Sequence, residues 1–310
     1  MENSSLTLTQ RPSVVTLMHR LIGIILIVVS AVGFGTLAIL GKYAYADGLD
    51  TLTILFFRFS LSALVMFGLL AACNERLPRG LVLFQLIAMG AIGYVGQGFS
   101  YLAALKYASP GLVALLLYLY PIFVTILSVA FLRERITGGK VVALGFALAG
   151  TALTVGPEGG HPGGILLGIL AAVIYSLYII VGAHVLRRVS AIQSSAVILS
   201  SAGVMSGMLM LANGPKLPAT GTGWTVIAGI VLFATVLPVM CFLAGLKHIG
   251  PTNAAMLSTL EPVVTVLLAM MLLGETLKPI TMLGGGLILL AVLLLTRSEL
   301  RRARSPGNQV

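Results

Sequence analysis

Leu102-Ala103-Ala104-Leu105-Lys106 recurs 141 residues later as Leu243-Ala244-Gly245-Leu246-Lys247. The same shift carries Pro110 onto Pro251, Pro121 onto Pro262 and Glu134 onto Glu275. From 102 to 136, 12 of 35 positions are identical without a gap, against about four expected by chance in so apolar a composition. Proline, lysine and glutamate carry most of the excess. Upstream, the offset aligns Ala31-Val32 with Ala172-Val173, Phe34 with Tyr175 and Gly41 with Gly182. The chain reads as two copies of one unit.

Each copy is built for lipid. The 310 residues are 58% hydrophobic and 9% charged, with mean hydropathy +1.06, whereas soluble domains carry about a quarter charged residues. A membrane span takes roughly 17 to 25 apolar residues. Ten segments approach that length: 21–41, 51–73, 81–105, 110–132 and 141–155, then 164–185, 192–212, 224–246, 252–274 and 280–296. The fifth and tenth are short. The expected fold is all-α and integral to the membrane, with ten transmembrane helices as two five-helix repeats. Its parts are a tail at 1–20, a first repeat at 21–155, a Gly/Pro-rich linker at 156–163, a second repeat at 164–296 and a basic tail at 297–310. The first apolar segment is too long for a signal-peptide core and no small-residue cleavage site follows it, so it is expected to be retained.

Five spans is an odd number, so the second repeat enters the membrane from the side opposite to the first. Inverted repeats of this kind suit alternating access around a midplane site. With the N-terminus in the cytoplasm, 14 Lys and Arg fall on cytoplasmic loops and tails and 4 on outer loops, leaving Arg58 inside a helix. Both termini are expected in the cytoplasm, in a multi-pass protein of the cell inner membrane. The net charge of +10 is thereby a matter of topology, and no nucleic-acid partner is expected. Cys73 and Cys241 make neither a disulfide framework nor a metal site.

Several stretches resemble one family. They are Phe57-Arg58-Phe59, Lys106-Tyr107-Ala108-Ser109-Pro110, Tyr120-Pro121 and Leu132-Arg133-Glu134-Arg135 in the first half. The second half offers Leu260-Glu261-Pro262-Val263, Leu273-Gly274-Glu275-Thr276 and Gly284-Gly285-Gly286. In order, spacing and duplication they resemble the drug/metabolite transporter superfamily and its EamA-type exporters, over about 30–296. The resemblance implies ten helices, a central cavity and export of amino acids, drugs or other metabolites.

The polar residues inside apolar segments are the candidate site. Arg58 lies about 10 Å into the second helix, where a charge needs a partner or water. It reads either as a binding or gating charge or as a side chain that bonds backbone carbonyls or snorkels outward. Glu261, next to Pro262 near the middle of the ninth helix, loses hydration there and is a candidate for proton exchange; the alternative is a protonated acid bonded to a neighbouring helix. Ser258, Glu261 and Thr265 are spaced to form one polar stripe. Tyr120 is the repeat partner of Glu261, and the prolines after both are expected to kink their helices. Tyr94, Gln97 and Tyr101 share the spacing i, i+3, i+7, and Tyr175 with Tyr178 forms a similar pair; such faces line water more readily than lipid. Tyr101 also suits an interfacial anchor. Glu134 and Glu275, at helix ends, are expected to shape the turns that follow. Gly164 with Gly168, and Gly203 with Gly207, read as helix-packing faces.

The expected function is secondary export of small metabolites, amino acids or drug-like solutes, by alternating access, with proton coupling through Glu261. No nucleotide-binding glycine motif is present, so a gradient is the expected energy source. Small-molecule substrate and membrane lipid are the expected partners, and a homo-oligomer is left open. No cofactor, metal or catalytic residue is expected. A flippase for a lipid-linked substrate is the nearest alternative. A membrane enzyme would need clustered His, Asp or Glu, which the helices lack.

Overall fold

The structure, a computed structural model, describes residues 14–104, 107–108, 113, 116–134, 136–155, 161–214, 216–274 and 279–304. Glu275, Lys106, Pro110, most of the linker and the outermost tails lie outside the described residues. The described chain is all-helical. The first half holds α1 (Val14–Ala46), α2 (Thr51–Ala72), α3 (Leu81–Ala88), a π-helical segment (Met89–Tyr94), α4 (Val95–Ala104), α5 (Tyr120–Leu132) and α6 (Gly138–Val155). The second holds α7 (Pro162–Val185), α8 (Ala191–Asn213), α9 (Gly221–Val231), a second π segment (Leu232–Val236), α10 (Leu237–Ile249), α11 (Pro251–Ser258), α12 (Glu261–Leu273) and α13 (Pro279–Arg304). Eight spans among the described residues are long and apolar enough to cross a membrane, and two further apolar helices, Tyr120–Leu132 and Gly138–Leu153, are shorter.

Side chains at the helix starts satisfy the N–H groups that a helix leaves unpaired. Asp50 accepts from the Thr53 amide at 2.8 Å, Thr220 from Gly223 at 3.1 Å, and Ser190 forms a capping box with Gln193. Each cap contributes about 1 kcal/mol. At the other end, Arg133 (φ 53°) and Gly274 (φ 67°) stop α5 and α12 in the left-handed conformation. Their amides return to Ser128 and Ala269. Both pairs of numbers, 133 with 274 and 128 with 269, differ by 141, so the repeat extends to cap geometry.

Packing repeats as well. α1 lies on α10 as α7 lies on α4, and α1 meets α12 as α7 meets α5. The pairs α2·α8 and α6·α13 are their own counterparts. Exchanging the halves therefore maps these principal contacts onto one another. Small residues bring backbones close: a methyl on Gly203 would stand 2.8 Å from Ser60 Oγ, and one on Gly168 2.8 Å from Leu116. Both glycine pairs sit at helix contacts as expected. Large apolar residues point outward, Phe131 and Met271 being 72% exposed, which is the surface of a protein solvated by lipid.

Candidate functional site

The two X-Pro sequences break their helices outright. α11 stops at Ser258, Thr259 and Leu260 form a turn, and α12 starts at Glu261 with Pro262 in its first turn. In the other half, Tyr118 and Leu119 form the turn and α5 starts at Tyr120-Pro121. Proline has no N–H to donate and fits the first turn of a helix, where none is needed. The expected kinks are thus two-residue interruptions at equivalent positions. The break also divides the stripe expected from Ser258, Glu261 and Thr265. Ser258 ends one helix and Glu261 opens the next, while Thr265 Oγ1 donates to the Gly35 carbonyl at 3.1 Å. An acid in a first helical turn is favoured by the helix dipole.

Arg58 is 7% exposed and sits between the two π segments. Its Nε donates to Thr235 Oγ1 at 2.9 Å, and its Nη2 to the Tyr94 hydroxyl at 3.3 Å and the Ala234 carbonyl at 3.4 Å. The guanidinium also lies 5.2 Å from the Phe59 ring centroid and 5.9 Å from that of Tyr94. Tyr94 and Thr235 are 141 residues apart, so one cation joins equivalent points of both halves. The guanidinium thus has one backbone carbonyl and two neutral hydroxyls as partners. Among the described residues no ion pair within 4.0 Å links Arg58 to Glu261. Thr235 is the partner that sequence reasoning missed; its equivalence to Tyr94 was the available signal.

From Arg58 a ladder of rings crosses the bundle. Phe59 meets Tyr94 at 5.1 Å, Tyr94 stacks on Tyr178 at 5.7 Å, Tyr178 on Tyr175 at 6.0 Å, and Tyr175 meets Tyr120 edge-on at 4.8 Å. Tyr120 is buried, with Ser258 beside it, and its hydroxyl donates to the Ala255 carbonyl at 3.1 Å. It ties the broken span of one half to that of the other. Ser176 Oγ donates to the Tyr120 carbonyl at 3.2 Å.

Glu261 lies within electrostatic reach of Arg58, Tyr94, Tyr101, Tyr118, Tyr120 and Tyr175. Tyr94, Gln97, Tyr101, Tyr118, Tyr175 and Glu261 are half-buried rather than sealed. Among the described residues the Glu261 carboxyl, the Gln97 amide and the hydroxyls of Tyr101, Tyr118 and Tyr175 have no hydrogen-bond partner. Polar groups inside a bundle that lack protein partners need water or a ligand to satisfy them. The structure thus joins Arg58, Tyr94, Tyr178, Tyr175 and Tyr120 in one run of contacts, sets Ser258 beside Tyr120 and adds Tyr118, in the turn before α5. Gln97 makes no hydrogen bond or ring contact with them. The signal for Tyr118 was its place two residues ahead of the repeated X-Pro.

A model of the EamA-like transporter family matches residues 21–156 and again 162–297. The chain belongs to this family. It is 29% identical over 282 residues to an uncharacterized transporter of Archaeoglobus fulgidus, covering 87% of this chain and 95% of that protein. It is 25% identical over 244 residues to the uncharacterized inner membrane transporter YedA of Escherichia coli, covering 77% and 79%. A probable terminal-alkyne amino-acid exporter of Streptantibioticus cattleyicolor is 25% identical over 208 residues, covering 64% and 69%. A solved crystal structure superposes with TM-score 0.79 at 21% identity, over 92% of this chain and 98% of the other, and shares the fold. The protein is a multi-pass inner-membrane transporter of the EamA type, with its two family units coinciding with the two structural halves.

In this EamA-type chain Glu134 closes one end of the bundle. Its Oε1 accepts from Lys140 Nζ at 2.8 Å and its Oε2 from Thr252 Oγ1 at 2.7 Å. The carboxylate joins the end of α5 to the starts of α6 and α11, in keeping with the turn-shaping role expected for it.

Proposed function

We propose that the protein is a secondary transporter that exports small metabolites, amino acids or drug-like solutes, by alternating access with proton coupling through Glu261. The observation that carries this reading is the pair of broken spans, whose turns bring a partnerless Glu261 and half-buried tyrosines to one place. Broken helices at a repeat interface expose backbone and polar side chains to a cavity without exposing them to lipid. In this reading the eight long and two short apolar helices make ten spans in two inverted repeats, 21–155 and 164–296, joined by an outer linker at 156–163. Both termini lie in the cytoplasm. Tyr94, Gln97, Tyr101, Tyr175, Tyr178 and Ser258 line the substrate path, Tyr120 holds it together, and Arg58 couples the halves. The name of the Streptantibioticus relative, a probable amino-acid exporter, supports the direction and the class.

The test is an efflux and resistance screen of amino acids and drug-like solutes in cells overexpressing the protein, with Glu261→Gln as control. Hits are then followed in proteoliposomes with and without an imposed pH gradient. Wild type responds to the gradient, while the Gln variant exchanges substrate and ignores it. A wild type indifferent to the gradient, or a Gln variant that responds normally, contradicts proton coupling. Absence of any transported solute contradicts the transporter reading itself.

A further inference from the structure

We propose that the groove between α3, α5 and α7, at the arginine-bearing end of the bundle, is a binding site for an anionic phospholipid. An acyl chain lies in the groove and the phosphate sits at its mouth. The site is separate from the central tyrosines and does not depend on how Glu261 acts in transport.

The groove holds about 390 Å³ and is lined by Phe131 and Leu132 of α5, Leu177, Val181 and His184 of α7, and Gln85 of α3. Ligand pockets span roughly 300–1,000 Å³. Leu177 stands seven residues before His184, about 10 Å along the helix, while the hydrocarbon of one leaflet is about 15 Å deep. The apolar wall thus follows a lipid chain for much of its length. Phe131, Leu177, Val181 and His184 are exposed, so the groove opens sideways to lipid.

Two polar side chains interrupt this apolar wall. Gln85 is half-buried and His184 exposed, and among the described residues neither side chain has a hydrogen-bond partner. An amide and an imidazole set against hydrocarbon lose hydration with nothing in return. Gln85 lies four residues into α3 and His184 one residue before the end of α7. That is the depth of a phospholipid's ester carbonyls and phosphate, which are acceptors for both.

Each helix end around the mouth carries arginine. Arg79 precedes α3, Arg133 follows Leu132, and Arg187 and Arg188 follow α7. All four are exposed, and among the described residues none forms an ion pair or a side-chain hydrogen bond. The acids of the same loops are engaged elsewhere: Glu75 accepts from the Ser190 hydroxyl, and Glu134 from Lys140 and Thr252. Topology alone accounts for basic loops, but not for an apolar groove with partnerless polar groups that ends among them. Guanidinium forks match phosphate oxygens, and basic pockets between transmembrane helices take anionic headgroups. A zwitterionic headgroup would bring its own cation to these arginines, and free phosphate would leave the apolar wall unfilled. The lipid then joins α3 and α5 of one repeat to α7 of the other.

The experiment measures binding of radiolabelled dioleoyl phosphatidylglycerol to the purified, delipidated full-length protein in detergent micelles. Competitors are dioleoyl phosphatidylcholine, which keeps the chains and loses the net charge, and inorganic phosphate, which keeps the anion and loses the chains. Wild type should bind phosphatidylglycerol saturably. Phosphatidylcholine should compete at least about tenfold more weakly than unlabelled phosphatidylglycerol, and phosphate at the same concentration should not compete. Replacing both Arg187→Gln and Arg188→Gln should weaken binding about thirtyfold. Leu177→Trp and Val181→Trp fill the groove from lipid-exposed positions and leave the charges in place; each should weaken it about tenfold. Lys247→Gln, at the end of α10, and Leu211→Trp, in the groove between α2 and α8 that has no basic lining, should bind as wild type. Equal competition by phosphatidylcholine or phosphate, or no saturable binding to wild type, overturns the proposal. So do groove variants that bind normally, or losses as large from Lys247→Gln or Leu211→Trp.

Discussion

Arg58 divides its hydrogen bonds between Thr235 and Tyr94, positions that the 141-residue repeat makes equivalent. Position 199, its own repeat counterpart, is a leucine, so the bridge exists once and is asymmetric. A planar fork of N–H donors is what allows one side chain to reach both π segments; an ammonium is a compact point charge and cannot span them. Arg58→Lys should therefore keep the charge and lose part of the bridge. The expected cost is about 1.5–3 kcal/mol, the worth of a hydrogen bond to a charged group. It is read as a lowered denaturation midpoint in detergent or nanodiscs, and a Lys variant as stable as wild type would show that the bridge contributes nothing. The depth of Arg58 was legible in the sequence because one arginine interrupts an apolar run. Its ligands were not, since Thr235 is an ordinary residue in an apolar helix until a π turn aims its hydroxyl inward. Tyr118 was missed for a similar reason: a kink was expected at Pro121, and only an interruption places the residues before it at the site.

Among the elements, the two broken spans were the most legible, because a repeated X-Pro in a membrane helix has few readings. The identical left-handed caps at Arg133 and Gly274 were not, since a non-glycine residue at φ 53° leaves no compositional mark. Glu134 follows the first of these caps and holds three helix ends together through Lys140 and Thr252. Lys140 is 1% exposed, so its bond to the carboxylate is poorly screened by water. A double-mutant cycle with Glu134→Ala and Thr252→Val measures this tie. Glu134→Ala should cost about 1.5–3 kcal/mol and Thr252→Val about 0.5–1.5. The double variant should be less destabilised than their sum, because both remove the same bond. Strict additivity would mean that α11 is not held by this carboxylate. In the second repeat, position 281, equivalent to Lys140, is a threonine, and position 111, equivalent to Thr252, is a glycine. The tie therefore belongs to one side of the molecule.

For the whole molecule, the principal helix contacts correspond when the halves are exchanged, while the polar groups at the centre do not. Glu261 faces Tyr120 across the pseudo-symmetry, and Arg58 faces Leu199. Symmetric packing allows the two halves to trade conformations; asymmetric chemistry confines binding and coupling to one set of residues. Lipid solvation, the two repeats and the family were legible from composition and self-similarity, because both are properties of the chain as a whole. The meeting of the tyrosines was not, since it depends on where two interruptions fall in space.

Alternating access is the claim on which the rest depends, and sided thiol labelling tests it most directly. Gln97→Cys is made in a background with Cys73 and Cys241 replaced by serine, and an impermeant maleimide is applied to right-side-out and to inverted inner-membrane vesicles. Cysteines placed at Gly160 and at Arg302 report sidedness in the same vesicles. The account predicts labelling at 160 from the outer face alone, at 302 from the cytoplasmic face alone, and at 97 from either face. Labelling at 97 from one face only, under every condition that supports transport, would contradict it.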